Sequence, residues 1–155
     1  MGRPPSSVKM LALANDESTW TNPVGATQED LHVLTNTYVP KLCNSYVYEK
    51  YGGRTNVYLS AGGRNFYADN VTPHGRLVEN KAAILSGGGT AQMQLSNYLR
   101  YLDENGGSLE YNFFRNPTGS RVGPNSQFAS ALADATMKYD IRVNIYNHDW
   151  WDELQ

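Results

Sequence analysis

The spacing of apolar residues changes period along the chain, and each change marks an element. From Thr27 the pattern is helical: Thr27 suits an N-cap, Gln28, Glu29 and Asp30 suit the positive end of a helix dipole, and Leu31, Leu34, Tyr38 and Leu42 share one face. Pro40 falls inside this stretch and predicts a kink or a split, with a second helical piece from Lys41 to Lys50 stopped at Gly52-Gly53. The period then falls to two. Thr55 to Ser60 reads as a strand, Ala61-Gly62-Gly63 as a turn, Arg64 to Val71 as a second strand, Pro73-His74-Gly75 as another turn, and Arg76 to Leu85 as a third strand. Ser86 to Gly89 is a break, followed by a helix over Thr90 to Glu104 with Met93, Tyr98, Leu99 and Leu102 toward the core. Ser108 to Arg115 is a strand and Asn116 to Ser120 a loop. Ser126 to Tyr139 is a helix built on Phe128, Leu132 and Met137, and Ile141 to Tyr146 a final alternating strand. The order α-β-β-β-α-β-α-β predicts an α/β (α+β) domain, a mixed β-sheet flanked by helices, over residues 27–155. Residues 1–26, with Pro4, Pro5, Pro23 and Gly25 and no sustained period, read as a lead-in or linker.

Composition narrows the picture only in places. At 155 residues, 40% hydrophobic and 18% charged, the chain suits one domain with a real core. No apolar run approaches the roughly 20 residues of a membrane span, and the first residues carry no secretory h-region. Cys43 is the one cysteine, which excludes an intramolecular disulfide framework and a cysteine-rich zinc site; among Leu42, Tyr46 and Val47 it reads as a buried thiol. A net charge of −2 argues against a general polyanion binder, so a nucleic-acid partner would have to be met by a local basic patch.

The candidate chemistry lies between Asp69 and Lys81. Alternation puts Leu77, Glu79 and Lys81 on one face of the third strand and Val78 and Asn80 on the other. Asp69, late in the second strand, can then converge with Glu79 while the Lys81 ammonium lies beside them. Two carboxylates and an ammonium suit a magnesium-dependent phosphodiesterase, because magnesium takes few carboxylates and keeps several waters. A surface Glu-x-Lys pair is the plainer reading of the same residues. His74 and His148-Asp149 offer a competing centre, without a recognised metal spacing.

Asp69, Glu79 and Lys81, followed by Gln92-Met93-Gln94-Leu95 on the next helix, resemble the PD-(D/E)XK nuclease superfamily. The runs Arg76 to Lys81, Gln94 to Tyr101 and Asn105-Gly106-Gly107 are similar to the restriction-endonuclease-type toxin domains of bacterial polymorphic toxins, over roughly residues 45–146. The sequence departs from the pattern at Ala68, where proline is common, and at Asn80, where the family has an aliphatic residue. The resemblance implies a restriction-endonuclease-like core and Mg2+ or Mn2+ held by Asp69, Glu79 and the backbone carbonyl of Asn80. It also implies that Lys81 positions or activates the hydrolytic water, with Gln94 a candidate contact to phosphate or water and Glu49 a candidate additional acid. Arg64, Arg76, Arg100 and Arg115, with Arg54 and Arg121, form the candidate nucleic-acid-binding patch, and Tyr67, Tyr98 and Tyr101 are candidate base-stacking residues. The expected function is a metal-dependent endonuclease acting on DNA, part of a larger toxin secreted or delivered into a target cell's cytoplasm and paired with a cognate immunity protein. An RNA- or tRNA-cleaving toxin on the same fold and a non-catalytic binding module stay open as alternatives.

Overall fold

The structure, a computed structural model, describes residues 39–82, 89–116 and 122–153. Helix α1 spans Val39–Tyr51, and strands β1 (Arg54–Ala61), β2 (Arg64–Val71) and β3 (Leu77–Lys81) follow. Helix α2 (Gly89–Asn105) leads to β4 (Leu109–Phe114), and helix α3 (Ser126–Thr136) leads to β5 (Ile141–Tyr146). A short 3-10 turn, Trp150–Glu153, closes the described chain.

The five strands form one mixed sheet in chain order, β1-β2-β3-β4-β5. β1, β2 and β3 are an antiparallel meander, whereas β4 joins β3, and β5 joins β4, in parallel. This follows from the connections: short turns join the first three strands, and each later strand is reached through a helix. The predicted α-β-β-β-α-β-α-β order is therefore observed among the described residues, in a mixed α+β fold with three helices. Residues 1–38, including the expected N-cap Thr27 and the lead-in, lie outside the described residues, as do residues 83–88 and 117–121 with Arg121.

Each sheet face has its own core. On one face α1 packs Leu42, Cys43, Tyr46 and Val47 against Val78, Phe114 and Tyr146, with Trp150 and Trp151 sealing the edge. Phe114 stacks on Tyr146 at 4.6 Å, and the Tyr46 and Trp150 rings meet Phe114 edge-on. On the other face α2 and α3 cover Leu77, Leu109, Tyr111 and Phe113 with Leu95, Tyr98, Leu102, Phe128 and Leu132.

Several local expectations are corrected. Pro40 is the second residue of α1 as described, Val39–Tyr51, which runs on from it unbroken; the stretch from Thr27, where the expected kink or split would show, lies outside the described residues. α1 then ends as expected, with Gly52 in the left-handed region and donating to the Tyr48 carbonyl at 2.7 Å. The described part of β3 stops at Lys81, and α3 at Thr136 rather than Tyr139. Met93 and Met137 were expected in the core but are 53% and 89% exposed. The buried stripe of α2 is Ala91, Leu95, Tyr98 and Leu102, and Met93 points away from it; Met137 caps α3 beyond the Phe128–Leu132–Ala135 stripe.

Candidate active site

β2 and β3 fork. Their ladder pairs Val71 with Leu77 and Asn70 with Val78, and no further pair is made toward Lys81. Asp69 is the first residue of β2 past the last pair. Its Oδ2 accepts the backbone N–H of Asn80 at 2.7 Å, so the carboxylate takes the place of a ladder partner across the fork. Opposite Asp69 in the β1–β2 register stands Asn56, the one non-glycine among the described residues with a positive φ, 52°. The ladder skips that pair, so both neighbours of the Asp69 backbone depart from regular sheet.

Glu79 and Lys81 project from β3 to the face covered by α2. The Lys81 ammonium lies 2.8 Å from Glu79 Oε2 and donates to Gln94 Oε1 at 2.8 Å. Glu79 Oε1 accepts the Tyr98 hydroxyl at 2.5 Å. Gln94 and Tyr98, one turn apart on α2, thus hold the two charged residues of β3, and Tyr98 also reaches the Tyr67 carbonyl at 3.5 Å. Sequence reasoning treated Tyr98 as core or as a stacking residue. It is core, and it is also a buried partner of Glu79, which no sequence signal reveals because it depends on how α2 lies across β3.

The electrostatics favour a cation. Burial pushes the Asp69 carboxyl up to about 7, and the Glu79 charge pushes the same way, while the Asn80 N–H, the Lys81 ammonium and the Asn44 side chain oppose them. Burial and the two carboxylates likewise raise the Tyr98 hydroxyl well above its ordinary range, keeping it a neutral donor. Lys81 is the one ammonium paired with Glu79 among the described residues. The donor set is hard oxygen only: two carboxylates and the Asn80 carbonyl. Among the described residues no third histidine, cysteine or acid joins a metal-binding group. Two carboxylates completed by water and phosphate are what magnesium accepts, so these residues fit such an ion.

Comparison of the chain with protein-family models, with curated proteins and with solved structures finds no match.

The other candidates divide. Glu49 is exposed in the last turn of α1, and no hydrogen bond or ion pair among the described residues joins it to Asp69 or Glu79. Arg76 lies 3.7 Å from the buried Glu110 carboxylate, and Arg115 pairs with Asp149 and lies over the Trp151 ring at 5.3 Å, so both have intramolecular roles. Arg64 and Arg100 come together. With Met93, Ser96 and Asn97 they line a shallow groove of about 250 Å3 at the tip of the β1–β2 hairpin. Tyr67 is 57% exposed and meets the exposed Tyr58 edge-on across the hairpin at 5.2 Å; Tyr98 is buried and Tyr101 half-buried. His74 is exposed in the β2–β3 turn, and His148 pairs with Glu153 at 2.7 Å, so the two build no common centre. Cys43 is buried and its thiol is pushed up by burial and then by Asp69, in keeping with a structural thiol.

Proposed function

We propose that the protein is a divalent-metal-dependent nuclease with a restriction-endonuclease-like core, hydrolysing phosphodiester bonds at the β2–β3 fork. The observation that carries this reading is that Lys81 touches both Glu79 and Gln94 at 2.8 Å while Asp69 is held at the fork by the Asn80 N–H. Glu79, Lys81 and Gln94 touch one another, and Asp69 lies close enough to feel the Glu79 and Lys81 charges, so two strands and a helix contribute to one centre.

In this reading Asp69, Glu79 and the Asn80 carbonyl hold Mg2+ or Mn2+, which supplies a lowered pKa for water and Lewis acidity at the phosphate. Lys81 places positive charge where a phosphate oxygen gains negative charge, and orients the attacking water. Gln94 accepts a hydrogen bond from the Lys81 ammonium that Glu79 also holds, so two partners orient the lysine toward substrate. Water forms the new P–O bond, the ester P–O bond breaks, and the proton lost by water balances the one gained by the leaving oxygen. Arg64 and Arg100, which line one groove, are the pair assigned to a further phosphate of the substrate. DNA is the first substrate to test and RNA the alternative on the same residues. With this reading, on the resemblance in Arg76 to Gly107, goes a place in a larger delivered toxin with an immunity protein as partner.

One observation favours a non-catalytic module: both Glu79 oxygens already have protein partners, Tyr98 and Lys81. Plasmid nicking and cleavage of total RNA, each with and without Mg2+, test the proposal. Cleavage by the parent should fall on the order of a hundredfold or more in Glu79→Ala and Lys81→Ala. Calorimetric titration with Mn2+ speaks to the alternative: no binding by the parent and no cleavage of either nucleic acid would leave the module reading in place.

A further inference from the structure

Asparagines cross the sheet in a row beneath the fork. Asn80 on β3 registers with Asn112 on β4, and Asn112 with Asn144 on β5. All three point to the face covered by α1, the face of Val78, Phe114 and Tyr146. Their side chains bond in sequence. Asn144 Nδ2 donates to Asn112 Oδ1 at 2.9 Å, and Asn112 Nδ2 donates to Asn80 Oδ1 at 3.1 Å. Asn80 Nδ2 then donates to Asn70 Oδ1 on β2 at 2.7 Å and to Asn44 Oδ1 on α1 at 2.9 Å. Asn70 Nδ2 returns to the Asn44 carbonyl at 3.1 Å. Asn70 and Asn112 are fully buried and Asn80 nearly so.

Two features separate this row from incidental polar packing. Every amide donates in the same direction, from β5 toward α1, so each bond polarises the next. The row also converges on the fork: Asn80 is the residue whose N–H holds Asp69, and Asn44 is the residue whose side chain helps keep the Asp69 carboxyl from rising further. Apolar side chains would fill these positions in an ordinary sheet core, as Val78 and Phe114 do on the same face. The polar Asn80, out of keeping with an aliphatic pattern, is the hub of the row.

We propose that Asn44, Asn70, Asn80, Asn112 and Asn144 form a positioning relay that fixes the Asn80 peptide and the Asp69 carboxylate against each other, and thereby sets the affinity of the fork for a divalent cation. The inference rests on the nuclease reading. Side chains that orient metal ligands from outside the coordination shell typically change affinity by about ten- to a hundredfold when removed.

The experiment uses the full chain and Mn2+ titrated alone by calorimetry, without nucleic acid. Asn112→Leu keeps the branched shape and the number of side-chain heavy atoms, touches no proposed ligand side chain, and takes from Asn80 Oδ1 and from Asn144 Nδ2 the bonds that Asn112 makes to them. It should weaken Mn2+ binding about tenfold or more. Asn144→Ser, at the half-buried end of the row, should weaken it by a smaller factor and serves where Asn112→Leu does not fold. Leu132→Ala, a core truncation on the opposite face, should lower the melting temperature while binding Mn2+ as the parent does. If the folded asparagine variants bind Mn2+ like the parent, the relay is overturned and the nuclease reading stands. A parent that binds no Mn2+ overturns the reading and the relay together. Affinity lost equally in Leu132→Ala would make the row ordinary structure and overturn the relay alone.

Discussion

An aspartate pushed up to about 7 holds its proton far longer in the folded state than in the unfolded chain, where its value is near 3.8. The folded state therefore binds the extra proton between about pH 4 and 7, so this stabilisation is complete below that window and is lost as pH rises through it. Without divalent cations the parent should be more stable at pH 5 than at pH 8, by roughly 2–3 kcal/mol at most for the two pH units between 5 and about 7, and Asp69→Asn should flatten that segment of the profile. Mn2+ should restore more stability at pH 8 than at pH 5, measured by thermal unfolding in the same buffers. Tyr98→Phe removes the buried donor to Glu79 and should cost about 2 kcal/mol in a denaturant titration. Asp69, Glu79 and Lys81 were legible in the sequence because strand alternation alone assigns Glu79 and Lys81 a common face. Tyr98 as a partner of Glu79 was not, since the angle at which a helix crosses a sheet is set by packing. Nor were the asparagines, which sit on four strands and a helix and meet only in the folded sheet.

Among the elements, the turns bear most directly on the site. Gly53, between α1 and β1, has φ +83°, and a Cβ there would stand 2.1 Å from the Val71 carbonyl oxygen. Backbone cannot yield as a side chain can, so Gly53→Ala should destabilise by more than the roughly 1 kcal/mol of a strained φ alone, and should disturb the β2 end of the fork. Gly62 has φ +57°, and its Cβ would meet Arg100 Cδ at 2.2 Å. Gly62→Ala should cost about 1–2 kcal/mol in stability and push the Arg100 side chain out of the groove, weakening nucleic-acid binding in a fluorescence titration while leaving Mn2+ binding unchanged. The extents of β2 and β5 were readable to the residue, β2 because it runs between two turns and β5 because its apolar residues alternate. Met93 misled because apolar character was weighed above helical phase.

For the whole molecule, the sheet is closed at its α1 face by two tryptophans whose importance the sequence did not announce. Trp150 and Trp151 are fully buried, and the Trp150 indole donates to the Arg115 carbonyl at 2.8 Å. Trp150→Ala should cost about 3–5 kcal/mol in thermal unfolding, comparable to much of a small domain's stability. On the proposed reading, a chain with net charge −2 would grip nucleic acid beyond the fork through Arg64 and Arg100 alone, and so through few phosphate contacts. Its affinity should fall with salt at a logarithmic slope of about −2 on duplex DNA, approaching zero in the Arg64→Ala/Arg100→Ala double variant. The mixed sheet also has a history in time. Asp69, Glu79 and Lys81 belong to one antiparallel meander whose strands close over short turns, whereas Asn112 and Asn144 reach Asn80 only after parallel pairing across two helical crossovers. Nearby closures precede distant ones as a chain folds. On that ground the acids should meet early and loosely, and the centre should become rigid only when the last strand arrives.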